Sequence, residues 1–528
     1  MKKKLVAALL LGTIAITGCG GNKPADKKAE NKPAAAKEEL VISAGNYIMS
    51  GKYDPTLGWG MWGPDIFHCK LLKIGTGNKL VNDLAVKGEV SPDGLKYTYE
   101  IRKDAKFADG KPLTAKDVVF TFEKTKSRAS AMDLTVLDSV KALDDYKVEF
   151  VLKKPWSSFP YKLACVGIIP QHAYTDTYGE KPIASGPWKV LELQKSQQLI
   201  LAPNEHYYGK KSGFKKVTIM KLDEDAALAA AKSGKLDAVY VNADDAATKV
   251  NGMKVQTFDA LDLFLINLPT VKESKDAKGQ TVGNNITSDP AIRKALNVGI
   301  SRKTIIDKAI NGMGKPTASA GDILHGKTGA VADGKVEEAK KILADAGWKD
   351  SNGDGVVDKN GVNAEFTVTG RSNDLARYNT VVALAEEAKK FGIKIVTKSA
   401  PWAEARKALH TPTCWAFVPD APIFIYDNFH SSQIGKNVIG NPASYSNKAV
   451  DELIDKALAA TDQTVAAKFW MQAEDTAEKD VPYLMISYPQ IVYLVNENLN
   501  IPGYDKLIQR GQGMSPIENM NEWTWGKK

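Results

Sequence analysis

Residues 90–123, VSPDGLKYTYEIRKDAKFADGKPLTAKDVVFTFE, contain two turns, a strand and the start of a helix. Each turn combines Asp-Gly with a nearby Pro, as Pro92-Asp93-Gly94 and as Asp109-Gly110-Lys111-Pro112; Pro presets φ, while Gly accepts a positive φ. Tyr97 and Tyr99 alternate with polar residues, which predicts a half-buried strand. Thr114, with Asp117 three residues later, is typical of a helix N-cap ahead of an apolar periodic run. Strand and helix patterns of this kind alternate through both halves of the chain, so we predict an α/β fold.

Short motifs in a fixed order extend this pattern along most of the chain. They are SPDGLKYTY (91–99), FADGKPLTAKDVVFTFE (107–123), KVEFVLKKP (147–155), IASGPW (183–188), LAPNEHYYG (201–209), ALAAAKSGKLDAVYV (227–241), DPAIRKALN (289–297), AKKILADAGW (339–348) and NPASYSN (441–447). Together they resemble the extracytoplasmic solute-binding proteins of ABC importers, family 5, the peptide/nickel-binding type. The collinear order carries the resemblance more than any one motif.

The resemblance implies a two-lobed periplasmic-binding-protein fold, type II, of the large cluster, with an extra subdomain in the first lobe. The expected organisation is a signal peptide at 1–18, a tether at 19–38, a first lobe at 39–265 with the subdomain inserted at about 58–177, a second lobe at 266–485 and a return to the first lobe at 486–528. The apolar runs 261–268 and 482–495 would be the two crossovers. Ligand would then lie between lobes that close by a hinge motion.

The N-terminus, MKKKLVAALLLGTIAITGC at 1–19, predicts export with lipidation of Cys19. Three lysines precede an apolar run too short for a permanent membrane span, and the run ends in the lipobox pattern ITGC. An ordinary signal peptide with a chance Cys, or a buried N-terminal helix, is the alternative. Residues 20–38 are too poor in large apolar side chains to fold and indicate a flexible tether. The residue after Cys19 is Gly20, and the sequence therefore leaves two locations open for the anchored protein, the periplasm and the outer cell surface.

Composition and motifs argue against other functional classes. The formal net charge is +9, but no dense basic block is interleaved with aromatic residues, so nucleic-acid binding is not expected. Neither HExxH nor G-x-S-x-G occurs, so we predict a non-enzyme. Residues 321–328, GDILHGKT, match the phosphate-loop string but lack the preceding strand and the following helix, which favours a surface loop.

The three cysteines that follow Cys19 do not indicate a disulfide framework. Cys69, Cys165 and Cys414 are far apart and odd in number. No metal-binding spacing is present. Buried thiols, or one disulfide among the three, both remain open.

Ligand contacts are predicted mainly in residues 401–432, where aromatic side chains crowd around a Pro-Asp-Ala-Pro turn. In the resembling family this stretch lines the cleft, where an acid can accept the α-ammonium of a peptide. The candidates here are Trp402, Trp415, Asp420, Tyr426 and His430. The alternative is that these residues belong to the core of the second lobe.

Further candidates lie outside that stretch. Arg371 follows a predicted strand, and its planar guanidinium suits a ligand carboxylate, although a surface ion pair is an alternative. Trp59 and Trp62 lie in a Gly-rich loop and are either core residues or stacking surfaces for a ligand.

One segment resembles a calcium loop. Asp350, Asn352, Asp354 and Asp358 occupy positions 1, 3, 5 and 9 of the pattern, with Gly at position 6. Position 12 is Gly361, where a bidentate Glu is expected. The segment is therefore either a structural calcium site or a metal-free Asx/Gly turn, and no other cofactor is required.

We therefore predict a monomeric, lipid-anchored receptor that captures a short peptide and delivers it to the transmembrane subunits of an ABC permease. A nickel or metal-chelate ligand is the alternative within the same family. A secreted hydrolase is disfavoured by the missing catalytic residues.

Overall fold

The computed structural model describes residues 37–45, 48–61, 63, 65–75, 79–128, 132–195, 197–321, 331, 333–372, 374–417, 421–436, 439–503, 508–509 and 516–526. The predicted signal peptide, Cys19 and most of the tether lie outside these residues, as do Trp62, Asp420 and nearly all of the phosphate-loop string. No helix within the described ranges is long and apolar enough to cross a membrane.

The sheet of the first lobe is built around the strand Glu39–Ser43, whose Leu40 and Ile42 are buried. This strand pairs in parallel with Lys216–Met220 on one side and Ala238–Val241 on the other. Parallel strands need cover on both faces, which explains their apolar content. From edge to edge the eight described strands are Ile508–Gln509, Met253–Ala260, Ile491–Asn496, Ala238–Val241, Glu39–Ser43, Lys216–Met220, Gln198–Pro203 and Trp188–Gln194.

The second lobe has a separate sheet and a strand–helix–strand unit. In order, the described strands of the sheet are Gly314–Pro316, Tyr483–Pro489, Leu263–Asn267 and Cys414–Phe417. The strands Glu365–Arg371 and Lys394–Ala400 pair in parallel, and the helix between them makes the crossover that parallel pairing requires.

The chain crosses between the two sheets twice, in very short connections. It leaves the first sheet at Ala260 and enters the second at Leu263. It returns between Pro489 and Ile491. The expected boundaries at 265/266 and 485/486 therefore fall inside strands of the second sheet. Apolar runs show that a segment is buried, but they do not show which sheet it joins.

The inserted subdomain contains an antiparallel sheet in the order Ala85–Val90, Lys96–Ile101, Lys147–Leu152 and Leu137–Asp144. The predicted turn precedes its second strand, and Gly94 has φ +70°. The predicted N-cap is also present, since the Asp117 carboxylate accepts hydrogen bonds from the N–H and hydroxyl of Thr114 at 2.9 and 3.1 Å.

The described α-helices are α1 (Ala115–Arg128), α2 (Phe159–Leu163), α3 (Glu224–Lys232), α4 (Pro290–Gly299), α5 (Arg302–Ile310), α6 (Val336–Asp345), α7 (Leu375–Lys389), α8 (Trp402–Ala405), α9 (Ala421–Phe429), α10 (Lys448–Ala459) and α11 (Gln463–Glu478). Short 3-10 segments are Ile48–Ser50, Pro55–Leu57, Gln171–Ala173, Tyr178–Glu180, Ala243–Ala247, Arg406–Ala408, Ser431–Gln433 and Pro516–Glu522. The remaining strand pairs are Leu72–Ile74 with Leu80–Asn82, Ser274–Lys275 with Thr281–Val282, Asp358–Lys359 with Val362–Asn363, and Leu499–Asn500 with Thr524–Trp525.

The inserted subdomain also packs against the second lobe. One apolar core includes Phe150 and Phe159 of the subdomain together with Phe424 and Trp470 of the second lobe. Ser157 bonds to the C-terminal end of α10, where its N–H donates to Leu458 O at 2.8 Å and its hydroxyl to Ala457 O at 2.7 Å. Carbonyls at a helix C-terminus lack partners within the helix, so this contact satisfies two of them.

Candidate ligand-binding site

A cavity of about 1030 Å³ lies between the two lobes, next to both crossovers. On the first-lobe side it is lined by Ser43 and Val241, the last residues of two parallel strands. On the second-lobe side it is lined by Arg371, the last residue of another parallel strand. The carboxyl ends of parallel strands are where open α/β sheets bind ligands. The cleft therefore has the position expected of a ligand site.

Arg371, Trp402 and Trp415, three of the predicted candidates, lie together. The guanidinium carbon of Arg371 is 4.8 Å from the centroid of the Trp402 ring. The Trp402 and Trp415 rings are stacked, with centroids 6.1 Å apart and an interplanar angle of 19°. Arg371 lines the cavity, and the two indoles stand behind it. The aromatic pair therefore positions the cation rather than forming the described wall itself.

The guanidinium of Arg371 has capacity left for a ligand. Its buried Nε has no hydrogen-bond partner among the described groups, and its nearest acid is Asp374, with Nη1 and Oδ2 3.8 Å apart. Burial and the neighbouring Arg377 lower the pKa of Arg371, because both disfavour its positive charge. A ligand carboxylate would relieve that repulsion and satisfy the donor.

Arg371 lies next to an ionic network, formed by Arg377, Asp374 and Asp262, that was not predicted from the sequence. Arg377 Nη1 is 3.0 Å from Asp374 Oδ2, and Arg377 Nη2 is 3.4 Å from Asp262 Oδ2. Burial lowers the pKa of Arg377, but the two carboxylates raise it further, so its pKa is higher than usual. The guanidinium also lies 5.3 Å from the Phe264 ring centroid. The network joins the start of α7 to the first crossover and fixes the floor of the cleft.

A local signal for this network was present in the sequence. Asp374 caps α7 by accepting the N–H of Arg377 at 3.3 Å, directly after the strand that ends at Arg371. An acidic N-cap with an arginine three residues away on each side could have marked the site. Asp262 had no such signal, because only the fold brings residue 262 to residue 377.

The charged side chains that line the cavity from the first lobe are all acidic: Asp223, Asp225, Asp244 and Asp245. Asp223 caps α3 by accepting the N–H of Ala226 at 2.9 Å, and Asp244 accepts a hydrogen bond from Asn311. For Asp225 and Asp245 the described residues provide no ion-pair partner. The chain as a whole carries +9, so this wall is opposite in sign to the protein.

Trp59 is not among the described residues that line the cavity, and it takes the core position that the sequence left open beside a ligand contact. It is buried in the core of the first lobe, with its ring centroid 4.8 Å from that of Tyr53. Its Nε1 donates to Asp65 Oδ1 at 3.0 Å. The Gly-rich loop folds back over the sheet, which favours burial of the large indole. Trp62 and Asp420 lie outside the described residues.

Tyr426 contacts the inserted subdomain and His430 lies beside it in the second lobe, and neither is among the described residues that line the cavity. The Tyr426 ring makes an edge-to-face contact with Trp156, with centroids 5.1 Å apart. The His430 ring is 5.3 Å from that of Tyr426, and its Nε2 is 3.4 Å from Asp455 Oδ1. Burial raises the pKa of Tyr426. Both residues therefore take packing positions, which agrees with the alternative that they belong to the core of the second lobe.

The acidic loop at 350–358 is closed by its own backbone. Asp350 accepts the N–H groups of Gly353 and Gly355 at 2.8 and 3.0 Å. Asp354 accepts that of Val356 at 2.8 Å, which lowers its pKa, and Asp358 accepts that of Ser351 at 2.9 Å. Within the described ranges no group of three or more His, Cys, Asp or Glu side chains is arranged to hold a metal ion. Calcium in this loop stays a prediction.

Cys69, Cys165 and Cys414 are buried thiols, and no disulfide joins them in the structure. Burial raises the pKa of Cys69 and of Cys414 to about 12, which keeps both thiols protonated at neutral pH. The Cys69 thiol donates to Ser185 O at 3.2 Å.

Comparisons with known proteins agree with this architecture. The profile of the bacterial extracellular solute-binding proteins, family 5 (middle region), matches residues 79–436. The oligopeptide-binding protein AppA of Bacillus subtilis (strain 168) is 29% identical, with 100% of both chains covered. The probable D,D-dipeptide-binding periplasmic protein DdpA of Escherichia coli (strain K12) is 27% identical over 79% of this chain and 80% of that protein.

Solved structures show the same fold. NikZ from Campylobacter jejuni in complex with Ni(L-His) superposes with a TM-score of 0.76 at 22% identity, covering 92% of this chain and 99% of that one. AppA from Bacillus subtilis in complex with a nonapeptide superposes with a TM-score of 0.70 at 26% identity, covering 93% and 100%.

Two α/β lobes, two crossovers and a cleft lined from both sides define a two-lobed solute-binding protein with the type II fold. The chain belongs to family 5 of the bacterial extracellular solute-binding proteins. Its relatives are ABC-type solute-binding proteins that work outside the cytoplasm, and they are not enzymes.

Proposed function

We propose that this chain is the lipid-anchored receptor of an ABC importer and that it captures a short peptide between its lobes. It then delivers the peptide to the transmembrane subunits of the permease. The observation that carries the proposal is the pairing of opposite charges across one cavity, with Arg371 on the second lobe and Asp225 and Asp245 on the first.

A peptide is the ligand whose ends match that pairing. Its carboxylate would bind the open guanidinium of Arg371, and its ammonium groups would face the acidic wall. Tyr240 and Phe264 supply apolar and aromatic surface in the same cavity. A volume of about 1030 Å³ is near the upper end of small-ligand pockets, about 300–1,000 Å³, which suits a short peptide. The similarity to AppA, an oligopeptide-binding protein, supports the same ligand class.

A metal chelate is the second candidate, because NikZ in complex with Ni(L-His) shares the fold. The described residues that line the cavity include no His and no Cys, the side chains that nickel and similar metals prefer. A bound metal would therefore bring its own donors, and Arg371 would bind a carboxylate of the chelator. A chelate could therefore bind through its organic part, but the described wall of the cavity provides no His or Cys to hold the metal itself.

Lipid attachment is supported by the lipobox that ends in Cys19. Such an anchor would keep a monomeric receptor close to its permease. We expect Cys19→Ser to abolish metabolic labelling by a palmitate analogue and to release the protein from membranes. Labelling that survives the substitution would exclude lipidation at this residue.

Native mass spectrometry of the protein purified from its host tests the ligand. We expect adducts with peptide masses that fragment into amino-acid series. A metal mass together with a non-peptide organic mass would support the chelate instead. If neither short peptides nor nickel complexes raise the melting temperature of the stripped protein, both ligand assignments fail.

A further inference from the structure

A direct polar contact joins the two lobes at the edge of the cleft. Asn311 Nδ2 donates a hydrogen bond to Asp244 Oδ1 at 2.7 Å. Asp244 belongs to the 3-10 segment Ala243–Ala247 of the first lobe. Asn311 follows α5 in the second lobe, with φ +48°, and its backbone N–H bonds back to Ile306. This left-handed position is one that Asn and Asp tolerate better than most residues, so the side chain is presented in a fixed direction.

Apolar contacts accompany the hydrogen bond. Ala243 packs against the small cluster of Ile306, Ala309 and Ile310 on α5. Met313 of the second lobe packs against a first-lobe cluster that includes Val241. The contact thus combines one charge-assisted hydrogen bond with a small apolar patch. Both the hydrogen bond and the patch contain residues from the two lobes.

We propose that Asp244 and Asn311 form an interlobe latch, which favours the closed arrangement before any ligand enters. In the open arrangement both side chains exchange this bond for water, so the latch stabilises closure only modestly. A modest bias is functionally sensible, because a ligand can shift the equilibrium only by its differential affinity for the two states. The latch would then influence ligand affinity through lobe closure, separately from the place of Asp244 in the acidic wall of the cavity.

The proposal rests on capture by lobe closure, but its first test needs no ligand. Exposed residues Lys232 on α3 and Lys389 on α7 are replaced by Cys and spin-labelled in a chain that also carries Cys19→Ser, while the native thiols at 69, 165 and 414 are buried. Pulsed electron–electron double resonance on the ligand-stripped protein then reports the distribution of distances between the two labels, one on each lobe. We expect a population at the closed distance in the otherwise unaltered chain.

The decisive variants exchange the two side chains. Asn311→Asp removes the hydrogen bond and places two carboxylates together, so the loss of the bond and the added repulsion should lower the closed-to-open ratio about tenfold. Adding Asp244→Asn restores donor and acceptor with the roles reversed, so the ratio should return to within about twofold of the starting value. Asn311→Gly keeps the backbone conformation, removes the carboxamide and should give an intermediate loss.

The latch is excluded if the stripped protein is entirely open, if Asn311→Asp leaves the distribution unchanged, or if the exchange fails to restore it. Circular dichroism and melting temperature establish that each variant is folded, and Asn311→Gly carries the test if Asn311→Asp does not fold. A latch that responds as expected in a protein that binds no peptide would overturn only the proposed ligand.

Discussion

The guanidinium of Arg371 lies over the indole of Trp402, 4.8 Å from the ring centroid, and faces the cavity between the lobes. An aromatic face beneath a guanidinium stabilises its charge and holds its plane in place. The ends of a strand and of a separate short helix, 31 positions apart in the chain, thereby present one oriented cation to a ligand.

Replacing that cation should weaken peptide binding. We expect Arg371→Ala to raise the Kd of a retained or library-selected peptide at least tenfold, since a hydrogen-bonded charge pair contributes about 1.5–3 kcal/mol. Arg371→Lys should recover part of the loss, because it keeps the charge but not the bidentate fork. Isothermal titration calorimetry measures both. Lys398→Ala, on the neighbouring strand and ion-paired with Glu404, is the matched control. Equal Kd values for Arg371→Ala and the control would remove Arg371 from the site.

The acidic wall should favour basic peptides. Among peptides of equal length, those with an added Lys should bind more tightly, and the difference should shrink as salt increases. Asp225→Asn combined with Asp245→Asn should reduce the preference, because peptides with an added Lys should lose more affinity than neutral peptides, which bring only the α-ammonium to this wall. Glu452→Gln, exposed on α10, serves as a control for loss of charge elsewhere. If neutral and basic peptides respond alike to the double substitution, the wall does not select ligand charge.

Tyr426 should contribute to stability rather than to binding. Removing its ring by Tyr426→Ala deletes the edge-to-face contact with Trp156, so the free energy of unfolding should fall by about 1–3 kcal/mol. Tyr426→Phe keeps the ring and should behave like the starting protein. Urea unfolding followed by tryptophan fluorescence gives the free energies. A Kd that rises tenfold in Tyr426→Ala, in protein that remains folded, would return this residue to the ligand site.

Asp427 should make stability depend on pH. Burial raises the pKa of its carboxyl to about 6, and the charge of Asp133 acts in the same direction, partly offset by Lys162. Between about pH 4 and pH 6 the unfolded chain releases this proton while the folded protein retains it, so the free energy of unfolding falls as pH rises through that window. Above pH 6 the full penalty remains.

Asp427→Asn should therefore be more stable than the starting protein at pH 7.5, by about 2 kcal/mol, and nearly equal to it at pH 4. The gain is smaller than the full shift implies, because the side chain keeps some contact with water. Urea unfolding at the two pH values measures it. Asp455→Asn, whose side chain is 66% exposed, should show no such difference. A variant that is less stable at both pH values would indicate that the ionised carboxylate is favourable.

Local patterns accounted for the α/β class, the turn before Tyr97, the N-cap at Thr114 and the family. Each of these depends on residues close together in the chain, where sequence spacing translates directly into geometry. The ligand site divides differently. Arg371, Trp402 and Trp415 were predicted and lie together, whereas Trp59, Tyr426 and His430 were assigned to ligand because aromatic content does not distinguish a cleft wall from a core or an interface.

The sequence by itself determined the periodicities, caps, turns and ordered motifs, and hence the kind of protein. Only the tertiary structure decided which charges meet across the cleft. Asp262 reaches Arg377 and Asp244 reaches Asn311 because the chain crosses between two sheets within one or two residues, at 261–262 and at 490. Contacts of this kind depend on how the sheets are placed in space, and no local spacing encodes that placement.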